Sequence, residues 1–168
     1  MNYFFIFFLL LSCSLKKENE KINFIISHNI RGEVEPCGCQ DYPRGGLAQV
    51  SGFLKQKKNP YYFIDLGDSL FPMETIPSLF INSYQFKAQT IDSFWQEHKL
   101  YFWLPGEVDF ASGVQFIKKI KSYDKIFISN LENHEKTKVI SLNEKKIFLI
   151  SLSKLPYYKT IEPLKYLE

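Results

Sequence analysis

Histidine, cysteine and net charge are all scarce in this chain, and each shortage closes off a class of reading. Among 168 residues there are 3 His and 3 Cys, and the net charge is only +3. That charge is too mild to imply nucleic acid as a partner, and no basic stripe with interleaved aromatics runs along the sequence. No internal repeat and no low-complexity tract is present. The segment Met1–Ser12 is almost wholly apolar and holds no acidic or basic residue, yet it is too short to span a membrane as a mature helix. What the chain does have is aromatic side chains, 17% of the total with Phe and Tyr dominating. That favours strands and a well-filled core over disorder.

The apolar start ends in Leu10-Leu11-Ser12-Cys13, which resembles a bacterial lipobox with a small residue before the cysteine. The n-region departs from that pattern in having no Lys or Arg. The resemblance implies a signal peptide over 1–12, cleavage, and lipidation of Cys13 as the first mature residue, with 13–20 as a polar tether. Acyl chains on Cys13 bind a membrane through about 0.8 kcal/mol per buried methylene. The expected location is therefore extracytoplasmic, on a bacterial membrane, periplasmic or at the cell surface. A mature chain of about 155 residues suits one domain with a real core, 21–168.

Once Cys13 is set aside, Cys37 and Cys39 remain as a pair with one residue between them. In an oxidising compartment they can close a small disulfide ring, with Gly38 supplying turn freedom. Such a ring is strained and easily reduced. The readings of a structural loop disulfide, of thiol–disulfide exchange, and of soft-metal binding with help from His28 or a partner stand side by side.

Hydrophobic patterning predicts a strand at Ile22–Ser27, a helix over Gly46–Lys57 with Leu47, Val50 and Leu54 on one face, and a strand at Tyr61–Leu66. A long helix follows, from about Ile76 to His98, then a strand at Leu100–Leu104 closed by Pro105-Gly106. Ser112–Lys121 reads as a short helix with Ser112 as N-cap and Val114, Ile117 and Ile120 on one face. Lys125–Ser129 reads as a fourth strand, and Lys138–Leu142 with Lys145–Leu152 as a hairpin about Asn143-Glu144. The order gives an α/β layered domain, its sheet mostly parallel and flanked by helices. In such sheets sites form beyond the strand C-termini, which would gather the loops at Asn29, Asp68, Gly106 and Asn130 at one edge.

Two of those loops carry distinctive text: Glu35-Pro36-Cys37-Gly38-Cys39-Gln40-Asp41-Tyr42-Pro43-Arg44-Gly45-Gly46-Leu47-Ala48, and Tyr61-Tyr62-Phe63-Ile64-Asp65-Leu66-Gly67-Asp68-Ser69. Together they resemble the N-terminal portion of the calcineurin-like metallophosphoesterases. The nearest branch is the periplasmic 5′-nucleotidase-like one, in its subgroup with Cys-Gly-Cys before Gly-Gly-Leu-Ala. The resemblance covers roughly Ile22 to Leu131, and it implies the first half of a two-sheet sandwich and a divalent-metal cofactor. In that family the metal ligands come from Asp-x-His after the first strand, Gly-Asp after the second, Gly-Asn-His after the third, and a later Gly-His-x-His.

Against that pattern Asp68 matches, but Asn29 stands where Asp is expected and Arg31 where His is expected. Asn29 offers a carbonyl oxygen without charge, and Arg31 cannot ligate a metal. The third loop reads Gly106-Glu107-Val108-Asp109, and no Gly-His-x-His occurs before Glu168. Asp68 and Asn29 are thus the candidate metal ligands, an inventory too poor to hold two metals tightly. Arg31, Arg44, Gly45 and Gly46 are candidates for metal-free anion binding, the glycine amides lying at a helix start. The plainer alternative is that Arg31 pairs with Asp68. His98 is expected to meet solvent or cap helix carbonyls, His134 to be solvated, Glu107 and Asp109 to fix a turn, and Trp95 and Trp103 to be core aromatics. The functional expectation is a lipid-anchored domain without two-metal phosphatase activity. The alternatives are a nucleotidase-like hydrolase completed by a partner chain or second copy that covers the missing half, and a thiol protein acting through Cys37 and Cys39.

Overall fold

The computed structural model describes residues 21–38, 41, 44–132, 134–142 and 145–155. The expected signal peptide, the tether with Cys13, and Cys39 lie outside these. The first three strands form a parallel sheet in the order β1 (Asn23–Ser27), β2 (Tyr61–Asp65), β3 (Leu100–Trp103). Between them run α1 (Leu47–Lys55) and α2 (Ile81–Glu97) as crossovers, as parallel neighbours require. The register pairs Ser27 with Asp65 and Asp65 with Trp103, so all three strands end along one edge. The expected α/β layered architecture is what the chain adopts.

Alternation sends residues to opposite faces, and an irregularity in the β2–β3 register, where Phe63 pairs with Leu100 but Ile64 with Phe102, puts Leu100 and Trp103 on the same side. One set, with Phe63, Leu100 and Trp103, packs with Leu47 and Leu54 of α1 and Ala88, Ile91, Phe94 and Trp95 of α2. Each fully buried large side chain there stabilises the fold by about 1.5–3 kcal/mol. Aromatic pairs knit this layer: Trp95 lies 4.9 Å from Trp103, and Phe63 lies edge-on to Phe94 at 5.8 Å. The second face carries a smaller cluster, Ile64, Phe102 and Phe127, packed by Tyr101 and Leu149. Leu149 comes from an antiparallel hairpin of β4 (Lys138–Leu142) and β5 (Lys145–Leu149). The hairpin side of this face is therefore covered. Toward β1, Phe24, Ile26 and Leu66 remain 36%, 59% and 45% exposed.

Four expectations are corrected. Lys125–Ser129 is not a strand: a 3-10 turn occupies Lys121–Lys125, and only Ile126 bridges to Trp103. The cause is the buried Asp92, whose carboxylate accepts the Lys121 and Ser122 N–H groups at 2.9 Å and holds the chain in a turn. Beyond it, Ser129 and Asn130 bond to Ser151 and Ser153. Ser112 is not the N-cap of α3 (Val114–Ile117); Gly113 takes that place at φ 81°, and the Ser112 hydroxyl accepts from Gln85. In α1, Val50 is exposed while Leu47 and Leu54 face the core. His98 is buried, not solvated: Nε2 lies 2.8 Å from Ser51 Oγ, tying the end of α2 to α1, and burial pushes its pKa down.

Trp95 and Trp103 differ in one respect. The Trp103 indole N–H donates to the Ser122 carbonyl at 2.8 Å, whereas the buried Trp95 Nε1 has no hydrogen-bond partner among the described residues. Phe at either site removes similar ring volume, but only Trp103→Phe orphans a partner. Trp103→Phe should be the less stable variant by about 1–2 kcal/mol in urea unfolding. Equal losses would show that the Trp103–Ser122 bond contributes nothing.

Candidate functional site

The loops that leave the three strands are joined into one unit beyond the sheet edge. The β1–β2 ladder continues past the strands: Leu66 N–H donates to Ser27, Asn29 to Gly67, Arg31 to Asp68 and Gly32 to Ser69, at 2.8–3.1 Å. The loop after β3 is drawn in by Asp109, whose buried carboxylate accepts four backbone N–H groups. Oδ1 takes those of Ser69 (2.8 Å) and Leu70 (2.7 Å), and Oδ2 those of Asp68 and Gly106, both at 2.8 Å. A second buried carboxylate, Asp65, ends β2. It accepts from Ser27 Oγ at 2.6 Å and Gly67 N–H at 2.9 Å, and Ser69 Oγ lies 2.8 and 2.9 Å from its two oxygens.

Glycines make the approach of these loops feasible at two points. A Cβ on Gly106 would lie 2.1 Å from Asp68 Oδ1, and one on Gly67, at φ 88°, would lie 2.3 Å from the Leu104 carbonyl oxygen. The backbone is also strained here. Of four described non-glycine residues with positive φ, three are Asn29 (58°), Arg31 (55°) and Asp68 (53°). Asn and Asp tolerate that region, but for Arg31 it costs about 1–2 kcal/mol.

Those three residues meet. Arg31 Nε–H donates to Asn29 Oδ1 at 3.3 Å, and Arg31 Nη2 lies 3.6 Å from Asp68 Oδ2, with side-chain exposures of 41% and 29%. Asp68 Oδ1 accepts the Val108 N–H at 3.2 Å. The structure thus brings together Asn29, Arg31 and Asp68. Arg44, Gly45 and Gly46 stand instead at the start of α1, where Gly46 is the N-cap at φ 77° with no side-chain cap. Cys37 is exposed and clasped to Arg44: its N–H donates to the Arg44 carbonyl at 2.8 Å, and Arg44 N–H to its Sγ at 3.2 Å. No hydrogen bond or ion pair joins Arg44 to Arg31 or Asp68 among the described residues. His28, Glu107 and His134 are exposed.

These side chains do not fit a two-metal centre. Among the described residues no three of His, Cys, Asp and Glu converge on one point. A dication about 4 Å from the Arg31 guanidinium would be repelled by about 8 kcal/mol at an effective dielectric of about 20. Solvent at this half-exposed site reduces that figure, but its sign stands.

The fold defined by this sheet, its crossovers and its joined loops is that of part of the 5′-nucleotidases. Two solved structures share it: a 5′-nucleotidase precursor from Thermus thermophilus (TM-score 0.57, 15% identity over 84% of this chain) and a putative 5′-nucleotidase from Staphylococcus aureus (TM-score 0.56, 16% identity over 78%). The chain spans 32% and 28% of their lengths, so the likeness is one of fold. No family model and no curated protein matches the chain.

Asp109, whose carboxylate ties the β2 and β3 loops together, is the residue that sequence reasoning undervalued. Its signal was the acid two residues beyond a Pro-Gly-Glu turn, read there as a turn former. Burial pushes Asp109 up to about 6 against the pull of its four N–H donors. Burial likewise pushes Asp65 up to about 7, against Ser27, Gly67 and Ser69, with a smaller push from Asp109. A carboxyl raised in the folded state holds its proton longer there than in the unfolded chain, so its contribution to stability falls as pH rises from about 4 to about 7. Asp65→Asn, which keeps an acceptor for Gly67, should flatten the decline in melting temperature across that window. Parallel pH profiles for the variant and the parent would show that Asp65 is already ionised at low pH.

Proposed function

We propose that this chain is a lipid-anchored, extracytoplasmic domain built as the N-terminal portion of a 5′-nucleotidase-like fold, and that it does not perform two-metal phosphoester hydrolysis by itself. The observation that carries the reading is the Arg31–Asp68 contact. The one acid that matches a family ligand faces a fixed cation, and its neighbour Asn29 is neutral. The scaffold around it is intact, from the Asp109 clamp to Gly67 and Gly106. Frame and chemistry have separated, leaving a domain suited to binding or to structural work.

A second reading keeps hydrolase function and gives the missing ligands to a partner chain or a second copy. It is supported by the bare side of the sheet, where Phe24, Ile26 and Leu66 lie exposed next to the covered Ile64 and Phe102. Apolar groups in such a row are the usual mark of a surface that another layer covers.

The full chain in detergent, offered nucleoside 5′-monophosphates with Mn2+, Zn2+, Co2+ or Mg2+, should release no phosphate above the metal-only background. Turnover that depends on a metal and is lost in Asp68→Ala would overturn the first reading. Turnover that appears only on adding a partner would establish the second. The anchor is tested separately: Cys13→Ala should abolish labelling by a fatty-acid probe and shift the protein out of the membrane fraction. Unchanged labelling would place the lipid elsewhere or remove the anchor from the account.

A further inference from the structure

We infer that Arg31 is this site's own cation, a permanent internal counter-charge for Asp68 that makes the assembled loops independent of divalent metals and bars metals from them. This rests on the proposed loss of two-metal chemistry and deepens it, by naming the residue responsible and the charge state it imposes.

Two oxygen donors reach the same point from different strand ends, Asn29 Oδ1 after β1 and the Asp68 carboxylate after β2, and the group between them is the Arg31 guanidinium. Its placement is set by the backbone and not by a long side chain searching a surface. The Arg31 N–H donates to the Asp68 carbonyl at 3.1 Å, which fixes the Arg31 Cα beside its partner. The left-handed φ of both residues is then held by the flanking ladder through Asn29 and Gly32. Strain of this kind persists only where surrounding structure over-determines it.

The contact is also a poor stabilising device, which argues that charge compensation is its role. At 3.6 Å the Nη2–Oδ2 distance is too long for a hydrogen bond. The Lys55–Glu97 pair between α1 and α2 is far shorter at 2.7 Å and still exposed on both sides, so it too contributes little. What Arg31 supplies is a guanidinium that stays protonated at any working pH and that no chelator can remove.

The consequence is read by calorimetry on the full chain in detergent. The melting temperature of the unmodified protein should be the same in EDTA and in Mn2+. The double variant Asn29→Asp with Arg31→His places two carboxylates and an imidazole around the spot the guanidinium holds. It should gain an upward shift of roughly 5 °C at saturating Mn2+, reversed by EDTA. Arg31→Gln removes the charge with little change of shape and guards against misfolding of the double variant. It should show a smaller shift of the same sign. A Mn2+-dependent shift in the unmodified protein would overturn the inference, and so would its absence from both variants. Metal-free hydrolysis of phosphoesters would overturn the reading of a domain suited to binding or structural work and leave this inference standing, so the two failures are distinguishable.

Discussion

The edge of this sheet depends on one carboxylate. Asp109 accepts N–H groups from Asp68, Ser69, Leu70 and Gly106, and without it the loops after β2 and β3 would leave two buried and two partly buried donors with no acceptor. Each such orphan costs about 1–3 kcal/mol, so the arrangement is all or nothing. With Asp109 in place the loop of Asp68 has a single course. The loop after β1 then docks on it through its own backbone bonds to Gly67, Asp68 and Ser69. Asn29, Arg31 and Asp68 meet because those three loops have been locked in sequence. The geometry of the candidate site is a consequence of packing and backbone satisfaction, with no ligand needed to assemble it.

That order of dependence makes the frame independent of the side chains at the ligand positions. The clamp, the close approach of Gly106 to Asp68, and the parallel register that ends Ser27 beside Asp65 all serve folding. They stay useful whatever occupies the ligand positions. The side chains of Asn29 and Arg31 take no part in the clamp; their contacts are with each other and with Asp68. The second face of the sheet tells the same story on a larger scale. The β4–β5 hairpin seals Ile64 and Phe102, while Phe24, Ile26 and Leu66 stand uncovered. Among the described residues the sheet is thus covered on its helical side and left exposed toward β1.

Much of this was legible in the sequence, for physical reasons that differ by element. Short apolar runs marked β1, β2 and β3 to within a residue or so, with Pro60, Gly67 and Pro105-Gly106 bounding the more deeply buried β2 and β3. The α/β order followed from helices alternating with those runs, and the meeting of the Asn29 and Asp68 loops from the rule that parallel strands end at a common edge. The failures share a cause. Lys125–Ser129 has strand-like text, but the Asp92 carboxylate, about thirty residues earlier, holds the preceding turn. His98 has the sequence context of a helix-end residue, but α1 places Ser51 against it. Asp109 reads as a turn former because nothing local says that its oxygens serve another loop about forty residues away. Side chains that act through long-range backbone hydrogen bonds leave almost no local signature.

The central claim, a nucleotidase-like frame whose resident charge is an arginine, is met most directly by elemental analysis. The full chain would be purified in detergent from metal-replete cells without chelator, and its transition-metal content set against protein concentration. The account predicts no stoichiometric metal. About two equivalents per chain, lost on Asp68→Ala, would contradict it and show that ligands exist that these loops do not reveal.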